Sequence, residues 1–103
     1  MQFCVYQNIN AASQAAFPFV LDVQSNLLDE LRSVVVIPLS RHKKSSLLIT
    51  RLMPVFLIDG KEYVLNTTQI TTMHRNILGH FVVDLNERRD EIVSAMDFLL
   101  SGV

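Results

Sequence analysis

Three histidines, His42, His74 and His80, and one cysteine, Cys4, are the residues best able to bind a metal or attack a substrate. No histidine has a second at helical or hairpin ligand spacing, and a structural zinc site needs four such ligands. We expect no metal, and we read all three histidines as ordinary solvated side chains. Gly60, Gly79 and Gly102 stand alone, so no glycine-rich loop is available to cradle a phosphate. No serine sits in a Gly-x-Ser-x-Gly elbow. Asp22 with Glu62, or Asp29 with Glu30, are the carboxylate pairs that acid–base chemistry would use. Nothing around them separates that role from caps and surface charges. We expect no catalytic residue and no cofactor.

Two other segments could act by contact. Arg41-His42-Lys43-Lys44 is the single basic run. The net charge is −1, so the chain has no overall field for holding nucleic acid, which is captured by neutralising its phosphates. The run reads as a solvated loop or as a patch that steers an acidic peptide. The second segment is Leu99-Leu100-Ser101-Gly102-Val103, where many domains carry polar, loosely held residues. Either Val103 packs back on the core or the chain end is a contact surface; spacing leaves both open.

The elements that must position these residues are mostly strands. Phe3–Tyr6 reads as a first strand and Asn8–Ala16 as a loop. Phe17–Val23 is β-prone, with Pro18 marking an edge or a strand start. Ser33–Ile37 is a β-branched strand stopped by Pro38, followed by an exposed segment, Ser40–Ser46. Val55–Ile58 and Lys61–Leu65 flank Asp59-Gly60, a tight-turn pair. Thr67–Thr72 extends the sheet or turns. The period then changes. Leu85, Ile92, Met96, Leu99 and Val103 recur on one helical face. Asp84 or Asn86 would cap that helix, with Glu87 completing a capping box, and Gly102 would stop it.

Half of the 103 residues are hydrophobic and 18% are charged, which fits a strand-rich core or apolar surface buried between subunits. The length fits one domain, 1–103. Cys4 lies in an apolar run and reads as a buried thiol in a reducing compartment. No signal peptide is visible, and Leu52–Ile58, broken by Pro54, is too short to cross a membrane. We expect a cytoplasmic protein that makes no use of a membrane.

Asp22-Val23-Gln24-Ser25, then Leu27-Leu28-Asp29, then Val35-Val36-Ile37-Pro38-Leu39 resemble the CcdB toxin family. Met1-Gln2-Phe3 with Val5-Tyr6, Pro54-Val55 with Ile58, Thr67-Thr68, and a last helix from Asp84-Leu85 to Gly102-Val103 fit the same pattern. The resemblance covers nearly the whole chain. It implies a mainly β fold, an SH3-like barrel of the CcdB, MazF and Kid type with a C-terminal α-helix, paired as a symmetric homodimer. It implies a toxin that is not an enzyme, binds the A subunit of DNA gyrase and traps the gyrase–cleaved-DNA complex. A CcdA-like antitoxin would neutralise it and repress the operon, DNA being touched only through that complex. Carried over by position, the gyrase-facing residues are Leu27, Leu28, Asp97, Ser101, Gly102 and Val103. Ser101 stands where familiar members carry an aromatic residue suited to stacking on a gyrase arginine. Antitoxin contacts would fall on Asn8, Asn10, Arg41, His42, Lys43 and Lys44. The alternatives are a MazF/Kid-like endoribonuclease on the same fold, whose site would draw on Arg41, Lys43 or Lys44, and a non-toxic homologue acting as an antitoxin decoy.

Overall fold

The computed structural model describes residues 1–44 and 48–102. Ser45 and Ser46, read above as exposed, and Val103, read as gyrase-facing, lie outside the described residues. The described residues form seven strands and one α-helix: β1 Cys4–Asn8, β2 Phe19–Asp22, β3 Ser33–Arg41, β4 Val55–Ile58, β5 Lys61–Leu65, β6 Thr71–His74, β7 Leu78–Asp84 and α1 Arg89–Ser101. The strands pair antiparallel in the order β4-β5-β3-β2-β1-β7, with β6 alongside β3. This sheet curls into a half-barrel, and its two edges, β4 and β7, line a common cleft of about 510 Å³ through Leu57, Ile58, Phe81, Val82 and Val83.

The centre of the fold is β3, and Pro38 does not stop it. Along one side β3 pairs with β2 from Val36 to Leu39. Along the other it pairs with β6 over Ser33–Val36 and with β5 over Leu39–Arg41. Pro38 falls where the partner changes from β6 to β5, so neither ladder calls on its missing N–H. Its carbonyl still accepts from the Asn66 N–H at 2.9 Å and from Asn66 Nδ2 at 3.3 Å. Ser40 and Arg41 therefore belong to the strand, not to an exposed loop.

Both faces of β3 are covered, which explains its unbroken β-branched run. On the concave face Ile37 and Leu39 join Phe3, Val5, Leu21, Phe56, Ile58, Leu65, Leu85 and Ile92 in the main core. On the opposite face Val34 and Val36 pack with Val20, Tyr6, Met73 and Leu78. The β4–β5 hairpin turns on Asp59 (φ 54°) and Gly60 (φ 77°), the pair of positive φ values a two-residue turn needs. Thr67–Thr72 does both things open to it: a 3-10 turn at Thr67–Gln69 leads into β6.

Helix α1 buries Ile92 and Ala95 and packs Val93 and Met96 on the core. Asp90 and Glu91 occupy its positive first turn. The expected cap differs in place. Asp84 Oδ1 accepts from the Asn86 N–H at 2.8 Å at the entry to a 3-10 turn, Asn86–Arg88, which precedes the helix and is closed by the Arg88 N–H to Leu85 O at 2.9 Å. Arg88 then stands at the N-cap of α1 without a side-chain cap, and Glu91, not Glu87, forms the local ion pair with it. Gly102 ends the helix with φ 73°, its N–H bonding Phe98 O at 3.0 Å.

Candidate functional site

The Asp22-Val23-Gln24-Ser25 segment is a device for leaving the sheet and presenting the residues that follow. Asp22 ends β2 fully buried; Oδ1 accepts from the Gln24 N–H at 2.9 Å and Oδ2 faces the Met1 ammonium at 3.1 Å. Val23 still donates to Val35 O at 3.1 Å. Beyond it the main chain turns away, and the Gln24 side chain takes over the ladder. Oε1 accepts from the Val35 N–H at 3.1 Å, while Nε2 donates to Ser33 O at 3.2 Å and Leu28 O at 3.3 Å. Ser25 Oγ accepts from the Leu27 N–H at 3.2 Å and caps a 3-10 turn over Asn26–Leu28.

The turn displays a cluster of leucines. Leu27 is 94% exposed, Leu28 46% and Leu31 50%. Three large apolar side chains within five residues form an exposed patch of the kind that marks contact with another protein. The turn is anchored from two further sides. Phe3 adopts φ 62°, a strained conformation for a bulky residue, and is held there by its N–H to Asp22 O at 2.6 Å and its carbonyl from the Leu85 N–H at 2.8 Å. This sets Gln2 between the turn and the start of the helical segment: its N–H donates to Asn26 Oδ1 at 2.8 Å and its carbonyl accepts from Asn86 Nδ2 at 3.0 Å. On the other side Arg75 reaches the carbonyls of Leu31 and Leu28.

The second group of candidate residues sits at the far end of α1. Asp97, Leu100, Ser101 and Gly102 are exposed, Leu100 at 82%. Ser101 Oγ donates back to Asp97 O at 2.8 Å. The Gln2 bonds link the Leu27 turn, through Asn26, to Asn86 at the entry to the helical segment, while Ser101 and Gly102 lie at the other end of α1, which is about 20 Å long by the rise of its thirteen residues. Leu27 and Leu28 on one side, and Asp97, Ser101 and Gly102 on the other, thus occupy separate stations of one chain.

The basic run is only partly free. Arg41 ends β3 and lays its guanidinium over the Tyr63 ring at 5.7 Å. His42 is half-buried rather than solvated, with Nδ1 out of water and without a hydrogen-bond partner among the described residues. Lys43 and Lys44 are exposed. Arg41 and Lys43 border a groove of about 390 Å³ with Ala15, Ala16, Phe17, Pro18 and Ser40. Asn10 supports the neighbouring loop by accepting from the Ala12 N–H at 3.0 Å. Asn8 is buried, the last residue of β1 rather than of a loop. Its Nδ2 is committed to Ser13 Oγ at 3.0 Å and Phe17 O at 2.8 Å, so it shapes the groove wall from within.

The remaining chemical candidates are dispersed. Strand β3 lies between the strands carrying Asp22 and Glu62, and Asp29 faces Arg75 at 3.9 Å instead of pairing with Glu30. His74 Nδ1 accepts from the Asn76 N–H at 3.2 Å, a capping role, and His80 is exposed on β7. Burial, reinforced by Asp84, pushes the Cys4 thiol up, away from the reactive thiolate. Among the described residues no three His, Cys, Asp or Glu side chains cluster as metal ligands, and no helix is long and apolar enough to cross a membrane. Sequence reading missed Gln24 as a ladder substitute, Leu31 as part of the exposed cluster, and Arg75 altogether. The leucine spacing was the one available signal.

A curled half-barrel of antiparallel strands backed by a C-terminal helix defines the fold class. Solved structures that share it include the following two. One, described as an endoribonuclease in complex with its cognate antitoxin from Mycobacterial species, is 18% identical, with 97% of this chain and 93% of that chain covered at a TM-score of 0.75. The other, the Mycobacterium tuberculosis toxin MazF-mt6, is 14% identical, with 80% and 84% covered at a TM-score of 0.66. At such identities the likeness is one of fold. Within that class the family is given by the sequence itself: the family model described as CcdB protein matches residues 2–102, and the chain belongs to the CcdB family.

Proposed function

We propose that this protein is the toxin of a toxin–antitoxin pair, a homodimer that binds the A subunit of DNA gyrase and traps the enzyme on cleaved DNA. It acts in the cytoplasm by contact, without catalysis of its own, and a CcdA-like antitoxin relieves it. Membership of the CcdB family over residues 2–102 carries this reading. The exposed helix end supports the position of the contact surface: Asp97, Leu100, Ser101 and Gly102 face outward, and Gly102 offers bare backbone. Two copies related by a two-fold axis would present the same surface twice to a symmetric target. Leu27 and Leu28 add apolar area, stabilising a complex by about 25 cal/mol per Å² buried. The groove beside Arg41 and Lys43 suits an acidic antitoxin segment.

Expression of the full chain in a gyrase-wild-type strain should arrest growth and break DNA, and removal of Gly102 and Val103 should abolish both while the protein stays folded. Undiminished toxicity of the truncated chain would remove the helix end from the mechanism. A chain that never arrests growth would be the antitoxin decoy. The fold shared with a structure described as an endoribonuclease favours one other reading, RNA cleavage, for which ribonuclease activity of the purified protein is the direct assay.

A further inference from the structure

We propose that Arg75 is a positioning residue that holds Leu27, Leu28 and Leu31 as a preformed apolar knob for the gyrase target. The inference rests on the gyrase reading above and adds to it a third contact residue and the group that orders all three. Arg75 follows directly on β6 and opens a 3-10 turn, Arg75–Ile77, whose backbone is fixed by His74. Its own N–H donates to Arg32 O at 2.8 Å. Its guanidinium then spans the leucine loop: Nε donates to Leu31 O at 2.5 Å, and Nη2 lies 3.4 Å from Leu28 O and 3.9 Å from Asp29 Oδ1. One planar fork thus ties the carbonyls flanking the Asp29-Glu30 bend, which a lysine could not do from a single point. Gln24 holds the same Leu28 carbonyl from the opposite side, so the loop is gripped between the end of β2 and the end of β6.

This grip matters because none of the three leucines is buried in the core. Leu27, Leu28 and Leu31 all stand outside the buried core, so the hydrogen bonds to their loop's backbone carry much of the ordering of their positions. A loop that samples several conformations binds in proportion to the fraction already in the right one. If losing the fork lowers that fraction to about a tenth, the apparent Kd rises about tenfold.

The test is a binding cycle between the full-length protein and the dimerisation fragment of the gyrase target. It uses Arg75→Met, which keeps the stem and removes the donors, Arg75→Lys, and the double variant L27A/L28A. Arg75→Met should weaken binding about tenfold or more, Arg75→Lys should recover little, and Arg75→Met should have a much smaller effect in the L27A/L28A background, where only Leu31 is left to position. Circular dichroism and the thermal midpoint at fixed concentration check that each variant is folded. An equal loss from Arg75→Met with and without the leucines would overturn the positioning role, as would unchanged binding of Arg75→Met where L27A/L28A binds poorly. Wild-type binding by L27A/L28A would instead overturn the use of this loop on gyrase, and the inference with it.

Discussion

Gln24 replaces the sheet with a side chain, and substituting it should be costly in a way that depends on its amide. Gln24→Ala leaves the Val35 N–H without its partner and takes one donor from the Ser33 and Leu28 carbonyls, the latter keeping the Leu31 N–H at 3.1 Å and Arg75 Nη2 at 3.4 Å. A buried polar group left unsatisfied costs about 1–3 kcal/mol; Ser33 and Leu28 are both exposed and open to water, so the loss centres on the Val35 N–H and the Gln24 packing and should total about 2–3 kcal/mol. At roughly 4–8 °C per kcal/mol for a domain near this size, the midpoint should fall by roughly 8–24 °C. Gln24→Glu isolates the amide more sharply. One carboxylate oxygen can still accept from Val35, but the other then faces two carbonyl oxygens where a donor stood. Protonation restores a donor, so the folded state raises the pKa of the introduced carboxyl. A raised carboxyl pKa means the folded state holds the extra proton, and stability increases as pH falls through that value. Scanning calorimetry at fixed protein concentration, since self-association would raise the midpoint, should find Gln24→Glu no more stable than Gln24→Ala at neutral pH and recovering on acidification. A Gln24→Ala midpoint within about 3 °C of wild type would refute the ladder role, the expected shift being several times larger.

Gly79 leaves no room for a side chain: a Cβ there would lie 2.8 Å from Ile9 Cγ2 and 3.1 Å from both Cβ and O of Gln7. Gly79→Ala should therefore destabilise by about 1–3 kcal/mol in urea unfolding, and a neutral effect would mean β1 and β7 can separate freely there. The native protein should lose stability in acid. Asn86 hydrogen bonds hold Asp84 below the usual carboxylate range, and the Arg88 hydrogen bond does the same for Glu91. Lowered folded-state values mean the stabilisation is present above the ordinary range near about pH 4 and is lost as pH falls through the folded values. Urea midpoints should decline across that window and decline less in Asp84→Ala; a profile as steep in the variant would remove Asp84 from the account.

Local chemistry made parts of this fold readable. Asp59-Gly60 gives the β4–β5 turn because both residues accept positive φ, and the spacing of Leu85, Ile92 and Met96 gives α1 because one face is buried. Pro38 misled because the break in pairing that tolerates it is set by β5 and β6, far along the chain. Strand β7 was hidden for a related reason. Its pairing with β1 shifts register between Val5 and Tyr6 and again before Asn8, so its apolar residues do not keep a period of two. In the site, the leucines were visible as residue types, whereas the grip of Gln24 and Arg75 on their carbonyls is a tertiary fact with no sequence period. The resemblance to CcdB, spread over many short pieces, carried the family where no single motif could.

The most direct test of the gyrase mechanism combines purified full-length protein with gyrase, supercoiled plasmid and ATP, and stops the reaction with detergent and protease. Linear DNA that accumulates only when gyrase is present, and that disappears when Gly102 and Val103 are removed, is the predicted result. Unbroken plasmid together with cleavage of RNA in the absence of gyrase would contradict it.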